Sequence, residues 1–290
     1  MQHKNFELAS IAPPEMSWSS YEHFLKQEIQ KYLLQDADNE KVFQRFFEKH
    51  PCLLPGPFGL IGTSGHYPYA GTVITQPRLV GSSNRIPDFM WIASDSMTIY
   101  PVLIEIEAPS KQWFTKKGKP TDKFAQAQDQ LTEWKTWFAK PEHESLFYSL
   151  FSVPSSFHSP RTLKPLYVLV YGRRSEFDTN PRLNEKRAQL ARSDEFLMTY
   201  DRLSPQFEAR NFLCSKVENR QYVAKSIPPT LELGPSLAPY HALIHSKEAA
   251  AERNRLLTKE RKDFLKSRFA YWDNYAMQVS RGIANTGDRE

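Results

Sequence analysis

The chain is poor in cysteine and contains no long run of apolar residues. Its two cysteines, Cys52 and Cys214, are too few and too far apart for a disulfide scaffold or a cysteine-rich metal site. The first ten residues lack the apolar segment of a secretory signal, and no stretch approaches the roughly 20 apolar residues of a membrane span. We therefore expect a protein of a reducing, aqueous compartment, the cytoplasm, with no membrane partner.

Glycine-based signatures and a strong charge bias are also missing. The sequence has no phosphate-binding glycine loop and no Gly-x-Ser-x-Gly elbow, which argues against P-loop nucleotide hydrolysis and α/β-hydrolase chemistry. We expect no organic cofactor. The sequence has 38 Lys and Arg residues and 33 Asp and Glu residues, so the formal charge is only +5. Such a balance permits an anionic partner without requiring one.

The residues that are present predict a folded α/β protein. The 290 residues are 40% hydrophobic and 13% aromatic, which is enough to fill a core. Apolar periodicity, together with capping and turn residues, predicts two helices (19–32 and 39–50) and three strands (72–74, 86–93 and 97–107). A helix (124–138) and a buried strand (166–171) follow. Residues 181–192 have a helical pattern, and residues 210–224 fit two further strands.

A Pro-rich stretch over 227–245 predicts a linker that divides the chain. It separates a helical lead (1–38) and a main domain (39–226) from a C-terminal amphipathic helix (246–290). In the last segment apolar residues recur at spacings of three and four: Leu265, Phe269, Trp272, Ala276, Val279 and Ile283. We expect this stripe to dock on the main domain or on a second subunit.

Acidic residues stand at the ends of two predicted strands. Asp88 precedes one of them, and Glu105 and Glu107 follow the run 102–104. Two acids at alternate strand positions most often mark a solvated face. The run before them, however, is apolar on both faces, which indicates a buried central strand. Because side chains alternate along a strand, Glu105 and Glu107 should project to the same face.

The position of Asp88 relative to Glu105 depends on the turn between the strands. A turn centred on Asp95 or Ser96 places Asp88 opposite a position one or three residues before Glu105, so a small bulge is needed to bring the two level. The converging carboxylates would repel one another unless a cation lay among them. Hard oxygen ligands suit Mg²⁺ or Mn²⁺, which can activate water and neutralise charge on a phosphate.

This arrangement resembles the PD-(D/E)xK nuclease motif, in which a Pro-Asp and a loop precede an apolar strand with an acidic end. Gln130 and Trp134 on the next helix resemble the Gln-x-x-x-Tyr motif of the RecB-like branch, with Trp in place of Tyr. The predicted order of helix, three strands, helix and strand is that of a restriction-endonuclease-like core. The resemblance therefore implies that fold.

Several segments between about residues 39 and 205 resemble, more specifically, the Shedu nuclease domain. They are 46–51, 87–89, 105–109, Ala127 with Gln130 and Trp134, 168–174 and 199–203. This resemblance implies a metal-dependent DNA endonuclease or nickase in bacterial antiphage defence. It further implies Mg²⁺ or Mn²⁺ as the metal, DNA as the partner and assembly into a homo-oligomer, with Asp88 and Glu105 as metal ligands.

Glu107 departs from the family pattern, which has a lysine at this position. A carboxylate cannot supply the positive charge of that lysine. Glu107 could instead be a further metal ligand or a general base. Alternatively, Lys111 or Lys123 could reach the site from elsewhere. A third interpretation is a catalytically silent nucleic-acid-binding or sensor protein, or a helper subunit that needs a partner.

Other candidate residues have both a functional and an ordinary interpretation. Gln130 could contact the attacking water or a substrate phosphate, or it could be a polar helix-surface residue. Glu40 could be a further metal ligand, although acids are favoured at any helix N-terminus. Arg173 and Arg174 suit phosphate recognition, but an ion pair with Glu176 or Asp178 would explain them equally well.

The lysine-rich loop after the second acidic strand is the remaining candidate for DNA contact. Lys116 and Lys117 could follow a DNA backbone, with binding that weakens as salt rises. The ordinary interpretation is a solvated loop.

Overall fold

A nine-stranded mixed β-sheet forms the centre of the computed structural model, which describes residues 4–60, 66–81, 86–178 and 180–290. In chain order the strands are β1 (Thr72–Thr75), β2 (Phe89–Ser94), β3 (Thr98–Ile106), β4 (Thr162–Leu163), β5 (Leu166–Val170), β6 (Glu195–Met198), β7 (Leu213–Glu218), β8 (Gln221–Ser226) and β9 (Ile244–His245). The strand order across the sheet is β6-β5-β3-β2-β1-β7-β8-β9, and β4 pairs with the start of β3.

Helices flank this sheet on both sides. They are α1 (Trp18–Gln35), α2 (Glu40–Lys49), α3 (Asp122–Phe138), α4 (Glu142–Leu150), α5 (Ser155–His158), α6 (Ser175–Asp178), α7 (Pro181–Leu190), α8 (Ala238–His241), α9 (Lys247–Arg253) and α10 (Lys259–Met277). Within the described parts of the chain, none of the helices combines the length and apolar character needed to cross a membrane.

The mixed α/β architecture predicted from the sequence is confirmed. The predicted succession of helix, three strands, helix and strand corresponds to α2, β1 to β3, α3 and β5. The irregular connection between α3 and β5 contains α4, α5 and the short strand β4. Strands β3, β5 and β6 run parallel, whereas β2 is antiparallel to both β1 and β3. The carboxyl ends of β3, β5 and β6 therefore lie at one edge of the sheet.

Strand β3 is buried on both faces, as its continuous apolar run predicts. Ile104 and Ile106 pack with the apolar residues of α1 and α2 in one core. Leu103 points to the opposite side and packs with the buried face of α3, which includes Leu131 and Trp134. This alternation turns Glu105 toward α3. Helix α3 begins at the Thr121 cap, whose side chain accepts a hydrogen bond from the backbone N–H of Phe124.

The Pro-rich segment 227–245, predicted as a linker, is part of the folded body. Ile227, Leu231 and Leu233 are buried, and β9 extends the sheet beside β8. The irregular backbone of this region is satisfied by a buried side chain, because the Arg261 guanidinium donates to the carbonyl oxygens of Leu231 and Pro13. Prolines mark an irregular segment, but they do not reveal that it is buried.

The C-terminal amphipathic segment also differs from the prediction. It consists of α9, α10 and a non-helical segment after Met277 rather than one helix. The first part of the apolar stripe, including Phe269 and Trp272, packs into the core of the same chain, which was one of the two predicted outcomes. Val279 and Ile283 lie beyond the helix and are exposed, so they do not continue the stripe.

Candidate active site at the carboxyl ends of the parallel strands

A tight two-residue turn joins β2 to β3 and sets their register. The backbone N–H of Asp95 donates to the carbonyl of Thr98 at 2.9 Å, so the turn is centred between Ser96 and Met97. The Asp95 carboxylate holds this turn, because its Oδ1 accepts the backbone N–H groups of Met97 and Thr98, each at 2.7 Å. The hairpin register thus depends on one aspartate at its tip.

The register places Asp88 level with Glu105. Phe89 lies opposite Ile104, and the next pair outward is Asp88 with Glu105. The predicted bulge is therefore wrong: with the turn centred between Ser96 and Met97, regular β2–β3 pairing extends to Phe89 and Ile104, the neighbours of the two acids. The Glu105 side chain points to the α3 side of the sheet, toward Gln130, and the Asp88 carboxylate lies at the start of β2, where it accepts the Ile106 N–H.

Hydrogen bonds hold the two acids in place. Asp88 Oδ2 accepts the backbone N–H of Ile106 at 2.9 Å. The Gln130 side chain, which projects from α3, donates to the Glu105 carboxylate. Glu105 is only 7% exposed, and its Oε2 atom has no hydrogen-bond partner in the described residues. A buried carboxylate oxygen without a partner is unfavourable unless another group, such as a cation, completes it.

Burial and mutual repulsion favour the protonated forms of this pair. Burial raises the pKa of Asp88 to about 7, against the backbone hydrogen bond from Ile106, and the charges of Glu40 and Glu48 raise it further. Burial also raises the pKa of Glu105 well above its ordinary value, with Asp88 and Glu40 adding to the shift. The positive charge of Lys111 lowers both pKa values, but by less than burial and the neighbouring carboxylates raise them.

Glu107 and Lys111 form a separate ion pair beside these acids. Lys111 Nζ contacts Glu107 Oε2 directly and lies 3.7 Å from Glu40 Oε2. The loop that carries Lys111 is anchored on both sides, since the N–H of Glu107 donates to Val170 and that of Ser110 donates to Ala37. The Lys111 side chain therefore lies at the end of β3, although position 107, where the family pattern has a lysine, holds an acid.

The predicted carboxylates do not all converge on one point. In the described ranges, no three or more His, Cys, Asp or Glu side chains form a group able to hold a metal ion. Glu107 and Glu40 face Lys111, whereas Asp88 and Glu105 face each other. An ion at this site would thus rest on two protein carboxylates, with water filling the other positions. That donor set fits Mg²⁺, which usually keeps several waters.

Residues that the sequence pattern did not single out complete the surroundings of Asp88. Gln44 Nε2 donates to Thr75 Oγ1 at 3.2 Å, and the Thr75 hydroxyl donates to Glu48 Oε1 at 2.8 Å. Tyr200 is buried, and its hydroxyl has no hydrogen-bond partner among the residues that are described. Burial raises the pKa of Tyr200 well above its ordinary value, with the charges of Asp88 adding to the shift. The family-like segment 199–203 was the one sequence signal for this tyrosine.

The two arginines after β5 have different surroundings. Arg173 forms a two-pronged ion pair with Asp201, with Nε and Nη2 at 3.0 and 2.8 Å from Oδ1. Arg174 is exposed and lies 3.9 Å from Asp178, which was one of the predicted partners. The other predicted partner, Glu176, instead accepts the backbone N–H groups of Trp113 and Phe114.

The remaining predicted lysines lie away from the paired acids. Lys116 and Lys117 are exposed in a turn that Gly118 closes by donating to Thr115. Lys123 is exposed in the first turn of α3. In the part of the chain that the structure describes, none of these three lysines has an ion-pair partner. Of the predicted lysines, the structure brings Lys111 to the acids.

A family model described as "Shedu protein SduA, C-terminal" matches residues 37–204. The match covers more than half of the chain and includes β1 to β6, with all of the site residues described above. A comparison with curated protein sequences gave no significant match. The chain therefore belongs to the Shedu SduA family.

Proposed function

We propose that this chain is a metal-dependent DNA endonuclease or nickase. Membership of the Shedu family implies a role in antiphage defence. The observation that carries the proposed chemistry is the Asp88–Glu105 pair, in which Glu105 has a buried carboxylate oxygen without a partner. The pair lies at the sheet edge where parallel strands end, a position at which ligands commonly bind in α/β proteins.

In this proposal Asp88 and Glu105 hold Mg²⁺ or Mn²⁺. The bound cation would supply positive charge at the scissile phosphate and lower the pKa of a coordinated water. Gln130 keeps the Glu105 carboxylate oriented through its hydrogen bond. The Ile106 N–H does the same for Asp88. Both acids are thereby fixed before substrate binds, which limits the reorganisation needed during reaction.

Lys111 takes the role of the lysine that the family pattern has at position 107. Its ammonium group lies among Glu107, Glu40 and the field of the two paired acids, so it can neutralise negative charge that develops on a phosphate. Glu107 then acts as a positioning residue, because its carboxylate holds the flexible lysine side chain.

Conversion of supercoiled plasmid to nicked or linear DNA in Mg²⁺ or Mn²⁺ tests the proposal. We expect cleavage by the wild type and its loss in Asp88→Asn and in Glu105→Gln, which keep the size of each side chain. Absence of cleavage by the wild type in either metal, or full activity in both variants, would refute the assignment. Glu107→Lys reports whether a lysine at the family position can substitute.

The lysine assignment has its own matched control. We expect Lys111→Met to lower the cleavage rate by about 10²-fold or more, in the range seen when one transition-state charge contact is removed. Lys123→Met, on exposed α3 surface, should leave the rate near that of the wild type. The reverse pattern would transfer the role to Lys123. Equal rates in both variants would remove the lysine from the mechanism.

The second candidate is a catalytically silent nucleic-acid-binding or sensor protein on the same fold. It is favoured by the Glu107–Lys111 ion pair, because two charged groups of the site bind each other and are then not available to a substrate. It predicts DNA binding without cleavage by the wild type, and a gain of cleavage in Glu107→Lys. A helper subunit would instead show cleavage only after a partner is added.

A further inference from the structure

A cleft of about 550 Å³ opens beside the end of β6 and is lined by three arginines. Arg174 follows β5, Arg202 follows β6, and Arg187 projects from α7. Since β3, β5 and β6 are parallel, the cleft and the acidic pair lie at the same sheet edge. Tyr200, which lies within electrostatic reach of Asp88, is next but one to Arg202.

Two of the cleft arginines lack an acidic partner. Arg187 and Arg202 make no ion pair with any residue for which the structure gives a position. Arg187 is held by neutral groups instead: its Nη2 donates to Asn184 Oδ1 at 2.8 Å, and its guanidinium lies 4.4 Å from the centre of the Phe177 ring. Burial lowers the pKa of Arg187, and the charges of Arg202 and Arg174 lower it further. The arginines thus repel one another, and the charge of Glu176 raises the pKa of Arg187 by less than burial and the two arginines lower it.

The acids of the cleft are already engaged. Asp201 is bound by the Arg173 fork and also accepts the backbone N–H of Arg174 at 2.6 Å. Asp178 lies 3.9 Å from the exposed Arg174 side chain. Arg187 and Arg202 therefore remain without an ion-pair partner among the described residues, and an anion between them would relieve their repulsion.

We propose that this cleft binds the phosphate ester of a nucleotide, an inference that rests on the proposed nuclease function. The phosphate would lie between Arg187 and Arg202, because the paired N–H donors of a guanidinium group match two phosphate oxygens. Phe177 and Met198 supply apolar wall for the sugar or base. A volume of about 550 Å³ is in the range of sites for small organic ligands. The cleft would thereby hold a strand that extends from the acidic pair.

Binding of a fluorescein-labelled single-stranded oligonucleotide in EDTA tests this without requiring cleavage. We expect the double variant Arg187→Gln with Arg202→Gln to bind about tenfold more weakly or worse, with a shallower dependence on salt concentration. Arg182→Gln is the matched control, since this arginine is exposed on α7 and does not line the cleft. Thermal unfolding of every variant establishes that it is folded, and Arg187→Lys should retain part of the affinity.

Competition by a deoxynucleoside monophosphate identifies the source of the phosphate. In one outcome, the monophosphate displaces the oligonucleotide from the wild type and fails to displace it from the double variant. That result would assign the cleft to free nucleotides as well. Failure to compete, with the loss of affinity in the double variant intact, would assign it to a nucleic-acid strand.

Equal affinity in the double variant and in Arg182→Gln would overturn the inference. This result is separable from failure of the nuclease proposal. Plasmid cleavage by the wild type with unchanged oligonucleotide binding in the cleft variants refutes the cleft alone. Absence of plasmid cleavage with lost binding in those variants refutes the nuclease alone.

Discussion

Asp88 and Glu105 are neighbours beside the last residue pair of β2 and β3, and the charge of Asp88 raises the pKa of Glu105. The turn at Ser96 and Met97 produces this pairing without a bulge. Two buried carboxylates placed so close together are unfavourable unless a cation lies between them. The pair is therefore a source of instability in the folded chain that a ligand can remove.

The free energy of unfolding should fall as pH rises through the pKa of Asp88. Asp88 ionises near pH 4 in the unfolded chain but at about 7 in the folded chain. A raised folded pKa gives stability that is complete below the unfolded pKa and is lost as pH rises through 7. We expect a loss on the order of 2 kcal/mol between pH 5 and 8 in urea unfolding.

Asp88→Asn removes this ionisation and can still accept the Ile106 N–H. Its unfolding free energy should therefore change less with pH than that of the wild type. Asp38→Asn is the control at an exposed aspartate and should follow the wild-type curve. Parallel curves for the wild type and Asp88→Asn would contradict the prediction.

Binding of Mg²⁺ should release protons and should stabilise the protein more at pH 8 than at pH 6. Metal ligands must be ionised, and the raised pKa values of Asp88 and Glu105 make protons compete with the metal. Thermal unfolding with and without Mg²⁺, together with calorimetry in two buffers, measures both effects. Stabilisation should vanish in Glu105→Gln.

Two further variants divide the predicted ligand set. Glu40→Gln and Glu107→Gln should keep metal-dependent stabilisation, because both acids face Lys111 rather than the Asp88–Glu105 pair. If either variant lost it, that acid would be a ligand, as the sequence pattern allowed. Equal stabilisation by Mg²⁺ at pH 6 and 8 would argue against an ionisation-linked site.

The Tyr200 hydroxyl should contribute to activity without contributing to stability. It is buried and has no partner among the described groups, so Tyr200→Phe should leave the unfolding free energy unchanged or slightly raised. Tyr21→Phe is the matched control, because the buried Tyr21 hydroxyl lies 2.8 Å from His50 Nδ1. Its loss should cost about 1 to 2 kcal/mol.

Plasmid cleavage by the same two variants separates the roles of these tyrosines. A reduced rate in Tyr200→Phe with intact stability indicates that the hydroxyl serves the site near Asp88. A loss of stability in Tyr200→Phe equal to that in Tyr21→Phe would show that the Tyr200 hydroxyl has a structural partner instead.

Gly172 should not tolerate a side chain, because the Lys111 carbonyl and the Trp113 ring lie against its Cα. It has a φ of +61°, and an added Cβ would lie 2.6 Å from the Lys111 carbonyl oxygen and 2.9 Å from Trp113 Nε1. Gly172→Ala should lower the unfolding free energy by about 2 to 4 kcal/mol, combining backbone strain with the forced movement of the loop. Displacement of the Lys111 backbone should also lower cleavage.

Gly118→Ala is the matched control for the backbone term. Its φ is +70°, but the nearest neighbour of an added Cβ is Leu183 Cδ2 at an ordinary 3.5 Å. We expect a loss of about 1 kcal/mol and unchanged cleavage. Equal losses for the two glycines in urea unfolding would show that the contact with the Lys111 loop is not restrictive.

Local signals were sufficient to predict most of the elements around the site. The apolar run before Glu105 identified a buried strand, and the spacing of Leu131 and Trp134 identified α3, because burial imposes these patterns residue by residue. The register of β2 against β3 was predicted one or three residues away from the observed one. It depends on side-chain capping of the turn by Asp95, and the strand composition carries no record of that contact.

The sequence by itself determined the family-like order of motifs, the buried central strand and the residue types at its acidic end. Only the tertiary structure decided how those acids divide: Asp88 faces Glu105, whereas Glu107 faces Lys111. The tertiary structure likewise decided that the Pro-rich segment is buried and that Arg187 and Arg202 line the same cleft. The physical reason is that strand and helix patterns follow from neighbours along the chain. Pairing of charges, by contrast, follows from distances between residues that only the folded sheet brings together.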